Sequence, residues 1–215
     1  MRKRLTRLYI AIAAVMVALV VWQAVKPSDE PEPVYKGKRL SFWLDASAKA
    51  RVTKSSEVGQ AVREARIFEA DEQMRAAVRQ AGTNAIPLLL RMLRAKNSPL
   101  KVKLVALAER QHLVKIKYRL AKDWNSCGLL GFSVLRTNAQ SAVPELIKIV
   151  DENISLDSQH YAIYSLGVMG SAAKEAVPSL LRWATNSNRY LRSSAVDVLD
   201  SINQKPPMRA AIPKF

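Results

Sequence analysis

One recurring motif constrains the fold of this chain more than any other feature. GTNAIPLLLRML (residues 82–93), AQSAVPELIKIV (139–150) and AKEAVPSLLRWA (173–184) share the core A-[IV]-P-x-[LI]-[LI], and AAIPKF (210–215) begins it again. The marking prolines, Pro87, Pro144, Pro178 and Pro213, stand 57, 34 and 35 residues apart. Proline loses no hydrogen bond in the first turn of a helix, where N–H groups have no intrahelical partner. The motif therefore predicts helices starting near residues 85, 142, 176 and 211.

A second helix is predicted behind each of these. Superposing Pro144 on Pro178 lays WNSCGLLGFSVLR (residues 124–136) over SQHYAIYSLGVMG (158–170), and YLRSSAVDVLDSI (190–202) continues the series. Gly128, Leu129, Phe132 and Leu135 then match Ala162, Ile163, Leu166 and Met169, and Ala195, Val196, Leu199 and Ile202 follow in the same order. Apolar residues at i, i+1, i+4 and i+7, opening on a small one, describe one helical stripe that must pack closely against a neighbour. Each unit is thus a helix pair in which neither helix buries its face alone.

Helix pairs of this length, with A-[IV]-P opening the first helix and a small residue in the second, resemble the HEAT repeat. This is an armadillo-type family that includes the HEAT-like variety of phycobilisome lyase-type proteins. The likeness covers residues 69–215, and GKRLSFWLD (37–45) resembles the lead-in of bacterial membrane-anchored HEAT-repeat proteins. It implies an all-α chain, a short right-handed α-solenoid of HEAT-like helix pairs, and a protein–protein interaction role; such solenoids host unrelated functions. Phe42, Trp43 and Leu44 are expected to cover the apolar end of the first pair.

The sequence departs from the pattern twice. The first proline interval is 23 residues too long, 57 against 34. Its surplus, residues 99–121, reads as a helix to about His112 and then as an extended connection, because Val114, Ile116, Tyr118 and Leu120 alternate with cations. The other departure is the motif restarting at the chain's end, where either a short cap or a partner, a second copy included, is expected to complete the last pair.

The N-terminal residues predict an address. Arg2, Lys3, Arg4 and Arg7 precede residues 8–25, 18 residues without a formal charge, and Lys26 and PSDEPEP follow. At about 1.5 Å per residue a helix of that length spans roughly 27 Å, close to the hydrocarbon thickness of a bilayer. The expected organisation is a cytoplasmic basic N-terminus (1–7), one transmembrane signal-anchor helix (8–25), a Pro- and charge-rich spacer (26–39) and the repeat domain (40–215). The flanking charges place that domain on the outer, periplasmic side of the inner membrane. A cleaved, secreted form is disfavoured because no small-x-small triplet closes the apolar run.

That topology changes the meaning of the net charge of +16. Residues 94–138 carry ten Lys and Arg against Glu109 and Asp123, so half of the excess lies in and around the insert. Lys101, Lys103, Arg110, Lys115, Lys117, Arg119 and Lys122 are the candidate anion- or partner-binding residues, for anionic headgroups, an acidic polymer or an acidic protein. The alternative is a solvated face over an apolar stripe, and nucleic acid is disfavoured outside the cytoplasm. Gln159, Arg189, Arg192 and Ser193, at the starts of second helices, are candidate contacts on a concave ridge.

Chemistry is poorly signalled. The chain lacks a P-loop, G-x-G-x-x-G, H-E-x-x-H or G-x-S-x-G motif. With one Cys and two His it predicts no disulfide framework, metal centre, cofactor or catalytic residue. Cys127, on the inner side of a repeat helix, is expected to be buried rather than nucleophilic. The expected function is a membrane-anchored interaction module that binds another macromolecule without chemistry of its own. Alternatives are a binder of anionic lipid or acidic polymer and a lyase-like protein handling a cofactor.

Overall fold

The computed structural model describes residues 31–52, 59–99, 102–103 and 119–202. They belong to two compact units, one of residues 32–97 and 116–215 and the other of residues 1–31 and 98–115. In the smaller unit the described part is little more than one turn, in which Val102 N–H donates to the Ser98 carbonyl at 3.0 Å. Among the described residues no helix is long and apolar enough to cross a membrane. The expected anchor (8–25), nearly all of the expected insert helix, and the helix start near 211 lie outside the described residues.

The larger unit is helical apart from a short hairpin. Strands β1 (Val34–Tyr35) and β2 (Lys38–Arg39) pair antiparallel, Val34 opposite Arg39 and Tyr35 opposite Lys38. Lys36 and Gly37 turn the chain at φ 48° and 72°, the mirror-image turn that suits the right-handed twist of a hairpin. The hairpin is tied to helix α1 (Leu40–Val52) by Trp43 Nε1, which donates to the Tyr35 carbonyl at 3.0 Å, and by the Leu40 N–H on Pro33. Residues 32–39 are therefore folded, not the solvated end of the spacer expected over 26–39. Even the Glu32 carboxylate is largely buried, accepting from Arg91 at 3.5 Å and from the Ser41 N–H at 3.3 Å.

Helix α1 packs on α2 (Gln60–Ala81) through Leu40 and Leu44 on one side and Met74, Ala77 and Val78 on the other. The apolar cover thus comes from Leu40 and Leu44, one turn apart, with Trp43 half-buried beside them. Phe42, expected with them, points outward and is 46% exposed.

Three similar segments follow. Each opens with a 3-10 turn (Gly82–Ala85, Arg136–Ala142, Gly170–Ala176) that runs into a short helix with proline in its first turn: α3 (Ile86–Leu93), α5 (Val143–Asp151) and α7 (Val177–Ala184). Ala85, Ala142 and Ala176 before each proline, and Leu89, Leu146 and Leu180 two residues after it, are all buried. The second helices are α4 (Ala121–Leu135), α6 (Leu156–Met169) and α8 (Arg189–Ile202). Each packs on its own first helix, and α4 on α6 and α6 on α8 form a row, while successive 3-10 turns touch one another. One continuous core runs through all of them, from Leu40 to Ile202.

Closeness within a pair is set by missing side chains. A Cβ on Gly131 would stand 2.2 Å from Leu89 Cδ2, and one on Gly128 would stand 2.9 Å from the Leu93 side chain. Helices α3 and α4 consequently pack as near as backbone permits.

Candidate functional site

Second helices start with a polar side chain that reaches back to the end of their own first helix. Asn125 Nδ2 donates to the carbonyls of Met92 and Leu93 at 2.9 and 2.8 Å, and Gln159 Nε2 to Val150 at 2.8 Å. Arg192 Nη1 donates to Asn186 at 2.8 Å. The last carbonyls of a helix have no intrahelical donor, so a side chain from the partner helix both satisfies them and sets the register of the pair. Two of the expected ridge contacts change role accordingly. Gln159 is fully buried and cannot meet a partner, because its amide is consumed inside the pair. Arg192 is exposed but spends a guanidinium donor on the same task; Arg189 is exposed and Ser193 half-buried.

Two depressions occupy the junctions between consecutive second helices. The first, about 720 Å³, lies where α4 meets α6, with α1 as its other wall; Ser126, Leu129 and Leu130 face Tyr161 across it. The second, about 530 Å³, lies where α6 meets α8, between Tyr164 and Val168 on one side and Asp197 and Ser201 on the other. An aromatic cluster sits on α6 between them. His160 stacks on Tyr190 at 4.3 Å with 25° between planes, and meets Tyr164 and Tyr161 edge-on at 4.7 and 5.3 Å. Its Nδ1 is 2.9 Å from Ser194 Oγ, and Tyr164 donates to Asp197 at 3.3 Å. Burial holds the His160 pKa below its ordinary value, against the opposing pull of Asp157.

Of the expected basic residues, Arg119 and Lys122 line the first depression, and Lys103 is exposed in the smaller unit. Lys101, Arg110, Lys115 and Lys117 lie outside the described residues. Arg119 is a fixed wall element: its Nη1 pairs with Asp45 at 3.1 Å, its Nη2 donates to the Asp123 carbonyl and the Cys127 thiol, and its guanidinium lies 3.9 Å over the Trp124 ring. The α1 contribution to this wall, Asp45, Lys49 and Arg51, carries no motif and is missed by sequence reasoning. The tyrosines had a weak signal, standing off the buried stripe of HYAIY at helical spacing.

Little here supports bond-making chemistry. Cys127 is fully buried, and burial pushes its thiol to about 11 despite the neighbouring Arg119, so almost no thiolate exists near neutrality. Among the described residues no group of three or more His, Cys, Asp or Glu is placed to hold a metal ion. The chain matches no protein-family model, no curated protein and no solved structure.

Proposed function

We propose that this chain is a non-enzymatic interaction module: a short right-handed α-solenoid of HEAT-like helix pairs that binds another protein along its row of second helices. Residues 8–25 hold it in the inner membrane, with the repeats on the outer side. One observation carries the reading: both depressions fall at junctions of consecutive second helices, where a stack of such pairs offers continuous surface. A small-molecule enzyme would instead concentrate reactive groups in one of them.

Photocrosslinking amino acids placed at Leu129 and Tyr164, with Arg182 on a first helix as the comparison, test this in intact cells. The two second-helix positions are expected to capture the same protein species; capture by neither, or capture at Arg182 alone, would overturn the proposal. For the anchor, alkaline carbonate washing of membranes should leave the full chain in the pellet, and its release would refute the membrane assignment.

A further inference from the structure

The two junctions differ in chemistry, and the difference specifies an occupant for the first. Its floor is apolar, formed by Ala48, Leu129 and Leu130 with the Tyr161 ring. Its rim carries four cations, Lys49 and Arg51 from α1 and Arg119 and Lys122 at the start of α4, against two carboxylates, Asp45 and Asp123. Asp45 is already neutralised, since it pairs with both Arg119 and Lys49 at 3.1 and 2.6 Å. Arg51 pairs with Asp71 outside the groove, whereas Lys122 is exposed and makes no ion pair among the described residues. The resulting field is positive on both walls of an apolar trough.

We infer that the groove between α1, α4 and α6 docks a short acidic peptide segment of a partner protein, its apolar side chain on Leu129 and Leu130 and its carboxylates toward Lys122 and the α1 cations. The inference rests on the reading of the chain as a protein-binding module and names the partner's chemistry at one site. Geometry favours a peptide over a membrane or a phosphate polymer. A headgroup layer has no means of filling a recess of about 720 Å³, and a polymer of phosphates leaves an apolar floor unused. The volume lies within the range of about 300–1,000 Å³ that encloses a compact ligand. Arg119 adds rigidity, because a guanidinium held by an ion pair, a carbonyl and a ring meets its ligand without further ordering. The complementary charge accelerates encounter and selects against basic segments.

The test uses a phage-displayed random 12-residue peptide library selected against the full chain in detergent. Enriched peptides should combine Asp or Glu with Leu, Phe or Trp. Their binding, followed by fluorescence polarisation, should weaken at least tenfold in Lys122→Glu and further in Lys122→Glu/Arg51→Gln. The control Arg79→Glu/Lys174→Glu removes charge elsewhere and should bind within twofold of the parent, and circular dichroism melts report the fold of every variant. Lack of enrichment, enrichment without acidic bias, or equal loss in the control would overturn the inference. Binding to phosphatidylserine vesicles that Lys122→Glu abolishes, in the absence of peptide binding, would reassign the groove to lipid. Failure of the module reading looks different, since no protein would then be captured at either junction. Capture at Tyr164 without acidic peptides at this groove defeats the inference alone.

Discussion

Gly131 holds the tightest contact between two helices of the described core. Replacing a mid-helix glycine by alanine ordinarily favours the helix by about 1 kcal/mol. Here the new methyl would overlap the fully buried Leu89 side chain, which has no free space to retreat into. Gly131→Ala is expected to destabilise by about 1–3 kcal/mol, the range for overpacking, read as a lowered melting temperature. Arg136 makes the opposite case. Gly82, Arg136 and Gly170 stand at equivalent helix ends with φ of 54°, 49° and 57° and ψ near −130°, a conformation that penalises any Cβ. Arg136→Gly should therefore raise stability by about 1 kcal/mol, the strain relieved exceeding the entropy that glycine adds to the unfolded chain; a lowered melting temperature would refute this. Neither residue stands out in the sequence. Gly128 is visible there because it aligns with Ala162 and Ala195, whereas Gly131 aligns with Ser165 and its closeness is a property of the packed pair.

At the level of elements, proline and hydrophobic spacing make the starts of α3, α5 and α7 readable, because both act within a single helix turn. The hairpin of residues 34–39 was not readable, since it depends on two positive-φ residues and on a Trp43 contact made only after α1 docks. The clamp residues are an intermediate case: Asn125, Gln159 and Arg192 share a position but not a side-chain type, and what unites them is a carbonyl waiting at the end of the preceding helix. The junction of α6 and α8 carries a prediction of its own. His160 has a folded pKa below its unfolded value because its ring is partly buried among Tyr161, Tyr164 and Tyr190, with Asp157 as the opposing charge. Above the unfolded value, about 6.5, the ring is neutral in both states and costs nothing. As pH falls below it, the unfolded chain takes up the proton first, and stability drops until the folded value is passed. Melting temperature should decline from pH 7 to pH 5, and His160→Gln should remove most of that slope; an unchanged slope would show that His160 is not its source.

For the molecule as a whole, the net charge of +16 reads differently once side chains have partners. Arg94 pairs with Glu145 and Glu152, Arg182 with Asp151 and Arg91 with Glu32, so part of the positive charge ties first helices to the elements before or after them. Sequence periodicity has no access to these partners, which lie 31 to 59 residues away. The long connection from α3 to α4 is pinched at its base: the Ala121 N–H donates to Asn97 at 2.8 Å, and Asn125 reaches Ala95 as well as Met92 and Leu93. Closing a loop costs little more as it lengthens, about 0.6 kcal/mol per doubling. Replacing residues 98–118 by a six-residue Gly-Ser linker should thus leave the helix pairs folded, with a melting temperature within a few degrees of the parent; loss of the cooperative transition would contradict this.

That pinched stem gives the connection the status of a graft. Whatever is spliced between Asn97 and Ala121 inherits a fixed point of attachment, because the hydrogen bonds that seat α4 against α3 are complete before the excursion begins and after it ends. Length and charge can drift there with the core blind to them, so the chain can acquire a new appendage at that doorway while the row of second helices keeps its spacing.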